Sequence, residues 1–94
     1  MILNFTDKEA EKIFQQQFSR KLPQGIQKIA LRKLMMMQAA NRLEDLKIPP
    51  ANHLEKLTGN REGQYSIRIN DQYRICFMVE QNHFTHVEIV DYHN

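Results

Sequence analysis

The sequence predicts an α+β domain, with helices in its first half and an antiparallel sheet in its second. Apolar residues recur at helical spacing before Ile48 and at every second position from Tyr65 onward. Turn signals separate the alternating segments, which is typical of a meander with helices packed on one face. The 94 residues suffice for one modest core. We therefore expect residues 1–94 to form a single domain.

The first half predicts a short strand followed by two helices. Residues 2–5 form the strand. Thr6-Asp7-Lys8-Glu9 then matches a capping box, and we expect Phe5, just before it, to contact Ala10. The first helix continues to about residue 19, because apolar spacing extends through Ala10, Ile13, Phe14 and Phe18. A second helix follows from about residue 24 to 46, ended by Ile48-Pro49-Pro50. Lys33 falls on its apolar face, so we expect the ammonium to extend to solvent.

The second half predicts three strands with turns near residues 70–72 and 81–84. The apolar positions are all odd-numbered: 65, 67 and 69, then 73, 75, 77 and 79, then 87 and 89. If these positions share one core, an odd-length turn sets Arg68 opposite Arg74 on the other face. Like charges in that arrangement repel. An anion should compensate, either a carboxylate such as Glu88 or a bound phosphate.

The last strand extends the same reasoning to the carboxy-terminal residues. Tyr92 has the parity of Arg74, and pairing Phe77 with Ile89 would set those two side chains opposite each other. Asp91 then points to the core side or the rim, and His93 lies past the last ladder position. Two arginines and a tyrosine would share one concave face, with an imidazole at its edge. The alternative is a solvated polar face.

Positive charge is concentrated in the first half, although the formal net charge is only +2. Residues 1–50 contain nine Lys/Arg and five Asp/Glu, whereas residues 51–94 contain four and six. Between residues 20 and 42 there is no acid, and the cations are Arg20, Lys21, Lys28, Arg32, Lys33 and Arg42. This stripe suits a polyanion such as RNA or an acidic protein tail. The alternative is a solvated helix face.

Several classes of function are disfavoured by composition. The single Cys76 excludes an intramolecular disulfide, and its apolar strand predicts a buried, unreactive thiol. The histidines are too scattered for zinc, and no phosphate-binding glycine motif is present, so we expect no cofactor and no metal. The absence of a secretory segment or a membrane span predicts a cytoplasmic protein.

Chemistry on a phosphodiester remains. RNA carries its own nucleophile, the 2′-hydroxyl. A protein need only move protons and stabilise charge on the phosphate oxygens. Arginines beside a carboxylate, a phenol and an imidazole provide those groups.

The residues that carry this chemistry resemble a known family. The stretch from Leu54 to Phe77, which contains Gly59-Asn60-Arg61-Glu62-Gly63, and the closing Asp91-Tyr92-His93 resemble the HigB toxins of bacterial type II toxin–antitoxin systems, in the RelE/ParE superfamily. The resemblance spans essentially the whole chain. It implies a RelE/ParE-like fold and ribosome-dependent cleavage of mRNA in the decoding site. It also implies a HigA-type antitoxin with a helix-turn-helix domain, through which alone operator DNA is contacted, and no membrane partner.

The resemblance also implies roles for individual residues. Asp91, Tyr92 and His93 match the family's catalytic tripeptide, and Arg74, with Arg68 beside it, matches the arginine that stabilises the scissile phosphate. The proton acceptor is either Glu55, which we prefer, or His53. Contacts to RNA are expected from Lys28, Arg32, Arg42, Lys56 and Arg61.

Two other functions remain open at this point. A ParE-like toxin would inhibit DNA gyrase without catalysis, because fold does not fix function. A non-catalytic module would use its basic helices only to bind an antitoxin or nucleic acid.

Overall fold

The computed structural model describes residues 1–92 and confirms the α+β class. Two helices, α1 (Lys8–Phe14) and α2 (Gln24–Ala39), precede the strands β1 (Glu55–Lys56), β2 (Tyr65–Arg68), β3 (Tyr73–Glu80) and β4 (His83–Asp91). The strands form one antiparallel sheet in chain order. Short 3₁₀ helices lie at Leu43–Lys47, Pro50–Asn52 and Gly59–Arg61. None of the helices in residues 1–92 is long and apolar enough to cross a membrane.

The hydrophobic core lies between the helices and one face of the sheet. From the helices it takes Ala10, Ile13, Ile26, Ala30, Leu34 and Met37. From the sheet it takes Ile67, Ile75, Phe77, Phe84, Val87 and Ile89. Phe77 meets Phe84 edge to face with 5.1 Å between ring centroids. Each large apolar side chain buried in this way contributes about 1.5–3 kcal/mol to the free energy of unfolding.

The amino-terminal segment covers the free edge of β4. The predicted strand at residues 2–5 is present only as two isolated parallel bridges, Ile2 to Phe84 and Phe5 to Val87. The Leu3 N–H donates to the Phe84 carbonyl at 2.8 Å, and the Phe84 N–H donates to the Met1 carbonyl at 2.9 Å. An open strand edge invites pairing with other chains. This short segment removes part of that exposure.

The first helix is shorter than the sequence indicates, and its cap lies one residue later. Asp7, not Thr6, is the N-cap, and its carboxylate accepts from the Glu9 N–H at 2.9 Å. The helix ends at Phe14, because three glutamines follow that offer no apolar anchor and Gln16 adopts a left-handed φ of +63°. Phe18, expected on the apolar face, is 62% exposed. Phe5 contacts Phe14, with ring centroids 5.5 Å apart.

The second helix also ends early, at Ala39 rather than near residue 46. The Asp45 carboxylate accepts from the backbone N–H groups of Asn41 and Arg42 at 2.9 and 3.3 Å. Such local side-chain bonds compete with helix continuation, and the chain turns into a 3₁₀ helix before the prolines are reached. The expectation for Lys33 is also wrong. It is 5% exposed, and its ammonium donates to Asn52 Oδ1 inside the protein.

The strand pairing is partly as predicted. Arg68 lies opposite Arg74, which confirms the odd-length turn between β2 and β3. Between β3 and β4 the predicted register is wrong by two residues, since Ile75 pairs with Ile89 and Arg74 with Val90. A bulge between Cys76 and Met78 shifts the register. An error of two preserves the face, so Tyr92 remains on the side of Arg74.

Strand β1 was absent from the sequence prediction. It has two residues, Glu55 and Lys56, and both are exposed. Neither an apolar alternation nor sufficient length marks it in the sequence. Its pairing with β2 sets Glu55 opposite Ser66 and Lys56 opposite Tyr65. This short strand determines where Glu55 stands relative to the arginines.

Candidate active site

A polar pocket of about 180 Å³ lies on the face of the sheet that carries Arg68 and Arg74. Its lining comes from β1, β2, β3, the β2–β3 turn and the carboxy-terminal segment, as Glu55, Arg68, Asn70, Asp71, Arg74 and Tyr92. Four of these residues were predicted from the sequence to be catalytic, namely Glu55, Arg68, Arg74 and Tyr92. The pocket therefore gathers side chains from five separate segments.

Arg74 is the most firmly held side chain of the pocket. It is 9% exposed. Its Nε donates to Ser66 Oγ at 2.7 Å and its Nη2 to the His53 carbonyl at 2.6 Å. Its Cζ lies 5.8 Å from the centroid of the Tyr92 ring, within the range of cation–π attraction. Two hydrogen bonds and the Tyr92 ring thus hold the planar guanidinium in place. Its Nη1 lies 3.9 Å from Glu55 Oε1.

Arg68 lies directly across from Arg74 but is held differently. Its side chain is 37% exposed, and Nη2 forms an ion pair with Asp71 Oδ1. The predicted compensating carboxylate, Glu88, is therefore not the one observed. Asp71 pairs with Arg68, and Glu55 pairs with Arg74. Asn70 supports the turn, since its Oδ1 accepts from the backbone N–H groups of Gln72 and Tyr73 at 2.8 and 2.7 Å.

Glu55 reaches the pocket from the short strand β1. Its side chain is 53% exposed, so solvent and a ligand both have access to the carboxylate. The competing residue, His53, is placed differently. Its backbone carbonyl accepts from Arg74, and the residue lines a neighbouring cleft rather than the pocket. The pocket thus contains the carboxylate and not the imidazole.

The carboxy-terminal residues separate along the strand. Tyr92 lines the pocket, and its backbone N–H donates to the Gln72 carbonyl at 2.6 Å. Asp91 has the opposite parity, is exposed, and accepts from Gln72 Nε2 at 3.1 Å. It is not among the residues that line the pocket. His93, predicted as catalytic, lies outside the described residues.

Nearly the whole chain matches a known protein family. A model of the RelE-like toxins of the type II toxin–antitoxin system HigB matches residues 3–93. The chain belongs to the HigB-like toxin family. Toxin HigB-1 of Vibrio cholerae serotype O1 is 42% identical over 78 residues, which is 82% of this chain and 82% of that protein. This HigB-like toxin is therefore the toxin component of a type II system, and an antitoxin is its partner.

Solved structures of another toxin resemble the fold. YoeB in the heterotetrameric YoeB–YefM toxin–antitoxin complex from Staphylococcus aureus gives a TM-score of 0.61 at 25% identity, covering 100% of this chain and 99% of that one. The YoeB dimer from the same organism gives 0.58 at 29% identity, covering 99% and 95%. The HigB-like toxin thus has a RelE-like fold.

The five cations predicted to contact RNA have different surroundings. Lys28 lines a groove between α1 and α2, Arg32 lines the cleft next to His53, and Lys56 is exposed on β1. Arg42 forms ion pairs with Glu44 and Asp45, at 3.8 and 3.6 Å. Arg61 lies 3.4 Å from Glu88 and donates to Gln64. Charges that are already paired attract a polyanion less than free ones do.

Sequence reasoning missed several residues of the pocket of this HigB-like toxin. Ser66 is absent from the predicted site, yet its hydroxyl accepts a hydrogen bond from Arg74. Asp71 and Asn70 were read only as turn residues. A signal for Asp71 was available, because it follows Arg68 by three residues across a tight turn. Ser66 also had one, since it has the parity of Arg74 on the paired strand.

The remaining nucleophilic side chain, Cys76, stays unreactive. It is fully buried on β3, and this burial raises the pKa of its thiol to about 11. The thiolate is the reactive form of cysteine. At neutral pH almost none is present, so the pocket's chemistry does not run through Cys76. Within residues 1–92, no group of three or more His, Cys, Asp or Glu side chains is arranged to hold a metal ion.

Proposed function

We propose that this toxin is an endoribonuclease that cleaves mRNA in the decoding site of the ribosome. The observation that carries the proposal is the convergence of Arg68, Arg74, Glu55 and Tyr92 on one open pocket. Two guanidinium groups suit a phosphate, since they present several N–H donors in a planar fork. A carboxylate 3.9 Å from Arg74 supplies a proton acceptor beside that phosphate.

The reaction uses the 2′-hydroxyl of the RNA as nucleophile. Glu55 accepts its proton, and the 2′ oxygen attacks the adjacent phosphorus while the bond to the 5′ oxygen breaks. The products are a 2′,3′-cyclic phosphate and a 5′-hydroxyl. Arg74, already fixed by Ser66 and the His53 carbonyl, stabilises the charge on the phosphate oxygens without further rearrangement. Arg68 assists from the opposite strand. No metal ion is required for these steps.

The carboxy-terminal segment protonates the leaving 5′ oxygen. Tyr92 is the described residue in position to do so, and its ring also lies against Arg74. His93 keeps the role given by the family resemblance. Asp91 is not among the residues that line the pocket. In this proposal it holds the segment through Gln72 and takes no part in proton transfer.

The proposed partners follow from the same assignment. A HigA-type antitoxin with a helix-turn-helix domain neutralises the toxin and provides its only link to operator DNA. The ribosome presents the mRNA. The exposed cations Lys28 and Lys56 would face ribosomal RNA, so association should weaken steeply with salt.

Cleavage of a translated mRNA, mapped by primer extension, tests the proposal. Replacing Glu55 by Gln removes the proton acceptor with little change in shape, and we expect cleavage to slow by about 100-fold or more. The matched control is Glu80→Gln, which neutralises an exposed carboxylate at the far end of β3. It should cleave at the wild-type rate.

Two results would contradict the nuclease assignment. One is full cleavage by the Glu55→Gln protein. The other is wild-type toxin that leaves translated mRNA intact but inhibits supercoiling by purified gyrase, which would support the ParE-like alternative.

A further inference from the structure

A second cleft, with a volume of about 410 Å³, lies beside the active-site pocket. It lies between α2, the 3₁₀ helix at Pro50–Asn52 and the β2–β3 turn. Arg68 and Asn70 line both cavities, so the two meet along one wall. The volume falls within the range of roughly 300–1,000 Å³ that is typical of small-ligand sites. The cleft is therefore large enough to hold a ligand group of its own.

The charges of this second cleft are all positive. Its cations are Arg32, Lys33 and Arg68, and no carboxylate lines it, whereas Glu55 and Asp71 both line the active-site pocket. Lys33 is 5% exposed and donates to the neutral amide of Asn52. Burial, and to a smaller extent the nearby Arg32, lowers the pKa of Lys33. Adjacent cations without a carboxylate between them favour an anion.

Arg32 is the cation best placed to meet such an anion. It is exposed, and no carboxylate within residues 1–92 forms an ion pair with it. By contrast, Arg42 and Arg61 each have a carboxylate partner. A guanidinium that faces a cleft without a partner retains its N–H donors for a phosphate.

Apart from its cations and Asn70, the second cleft is lined by apolar residues and a histidine. Ile29 on α2, Ala51 and Ile69 after β2 line it, as does His53. His53 adopts a left-handed φ of +44°, and its carbonyl accepts from Arg74 Nη2. The backbone of this residue thus serves the active-site pocket, and the residue also lines the second cleft. Unstacked RNA bases pack against such surfaces.

We propose that the second cleft binds one further nucleotide of the RNA, beyond the two that the scissile phosphate joins. Arg32 contacts the phosphate of that nucleotide, and Arg68 lies between the two phosphates. The base packs against Ile29, Ile69 and the His53 ring. His53 is then a substrate-binding residue and not the proton acceptor. This inference rests on the proposed function, because it takes the substrate to be single-stranded RNA.

Short RNAs that cannot be cleaved test the proposal by NMR titration of the backbone amides. The probes are a dinucleotide with one phosphodiester and a trinucleotide with two, both 2′-O-methylated. The dinucleotide should shift residues around Arg74 and Tyr92. The trinucleotide should in addition shift Ile29 and Ile69 and bind about tenfold more tightly or better, because it adds one charge-assisted contact.

The variant Arg32→Ala should remove the extra affinity for the trinucleotide and leave dinucleotide binding unchanged. Lys8→Ala is the matched control, since it removes one exposed positive charge at the start of α1, and it should retain the trinucleotide preference. The change from two to one phosphate contacts should also reduce the slope of log affinity against log salt by about 0.7.

The outcomes separate the two proposals. The proposal for the second cleft would be overturned if both RNAs change amide chemical shifts only around the Arg74 pocket. It would also be overturned if Arg32→Ala still binds the trinucleotide more tightly than the dinucleotide by the wild-type factor. Neither result would contradict the nuclease assignment. Chemical-shift changes confined to the second cleft would support RNA binding there and would contradict the assignment of the Arg74 pocket as the active site. If neither RNA shifts either cavity, both proposals fail.

Discussion

The two faces of β3 are both buried, but by different means. Ile75 and Phe77 face the helices and are 0% exposed, whereas Cys76 and Arg74, on the other face, are 0% and 9% exposed. The helix side is buried by apolar packing. On the pocket side, the buried Arg74 is hydrogen-bonded to Ser66 and to the His53 carbonyl. Burying a polar group is unfavourable unless it is hydrogen-bonded, so the pocket side depends on a few specific contacts.

The largest effect is expected from damage to the helix side. Phe77→Ala should reduce the free energy of unfolding by about 3–5 kcal/mol. The ring is fully buried and contacts Phe84 edge to face and Tyr65 with centroids 6.3 Å apart, so a cavity remains. Chemical denaturation measures the loss.

The neighbouring residue on the same strand is the control for this change. Met78 is 36% exposed, and Met78→Ala should change stability by less than about 1 kcal/mol. If the two variants lose similar amounts of stability, the helix side is not the principal source of stability.

An intermediate effect is expected from the pocket side. Ser66→Ala removes the acceptor of the Arg74 Nε–H bond, and stability should fall by about 1–3 kcal/mol because a buried donor is left without its partner. Cleavage should fall by about 10- to 100-fold as the guanidinium loses its position. Activity should decline in kcat more than in KM, and the Arg74 Nε–H resonance should move.

Thr85→Val provides the comparison for the serine. Thr85 is a buried strand hydroxyl whose contact is His86, away from the pocket. This variant should keep wild-type activity. A Ser66→Ala protein with an unchanged Arg74 resonance and unchanged kcat would show that Ser66 does not position the arginine.

The smallest effect concerns Cys76 and its dependence on pH. Folding raises the pKa of this thiol from 9.0 to about 11 by burial. The unfolded chain therefore loses its proton first, so the contribution of Cys76 to stability is complete below pH 9 and is lost as pH rises toward 11. The free energies of unfolding of the wild type and of Cys76→Ala should therefore converge as the pH rises from 9.0 to about 11. Parallel curves would mean that the thiol is not buried as described.

The polar face was predictable from parity, and the pairing details were not. Apolar residues at odd positions were enough to set Arg68 opposite Arg74 and to place Tyr92 on the same face. The β3–β4 register failed because the turn was predicted over residues 81–84, whereas β4 already begins at His83. Farther along this pair of strands, the residues that face the core switch from Phe84 to Val87, a spacing of three. A bulge at His86, with φ of +53°, absorbs the extra residue. That spacing is visible in the sequence and indicates the bulge.

Other parts of the site follow only from tertiary contacts. Glu55 reaches Arg74 through a two-residue strand that no periodicity marks. The bond from Arg74 to the His53 carbonyl joins residues separated by 21 positions and involves no side chain of His53. Lys33 was misplaced because its partner, Asn52, lies in the short 3₁₀ helix Pro50–Asn52, which no sequence pattern marks. Polar contacts between distant segments have no sequence period, and so they escape pattern analysis.

The pairing of the amino-terminal segment with β4 also has a consequence for the order of folding. Ile2 bridges to Phe84 and Phe5 to Val87, residues that are far apart in sequence. Such contacts form slowly, because the intervening chain must first lose its conformational freedom. The local hairpin of β3 and β4 faces no such delay. We therefore expect the outer edge of β4 to be covered late in folding, after the meander has formed.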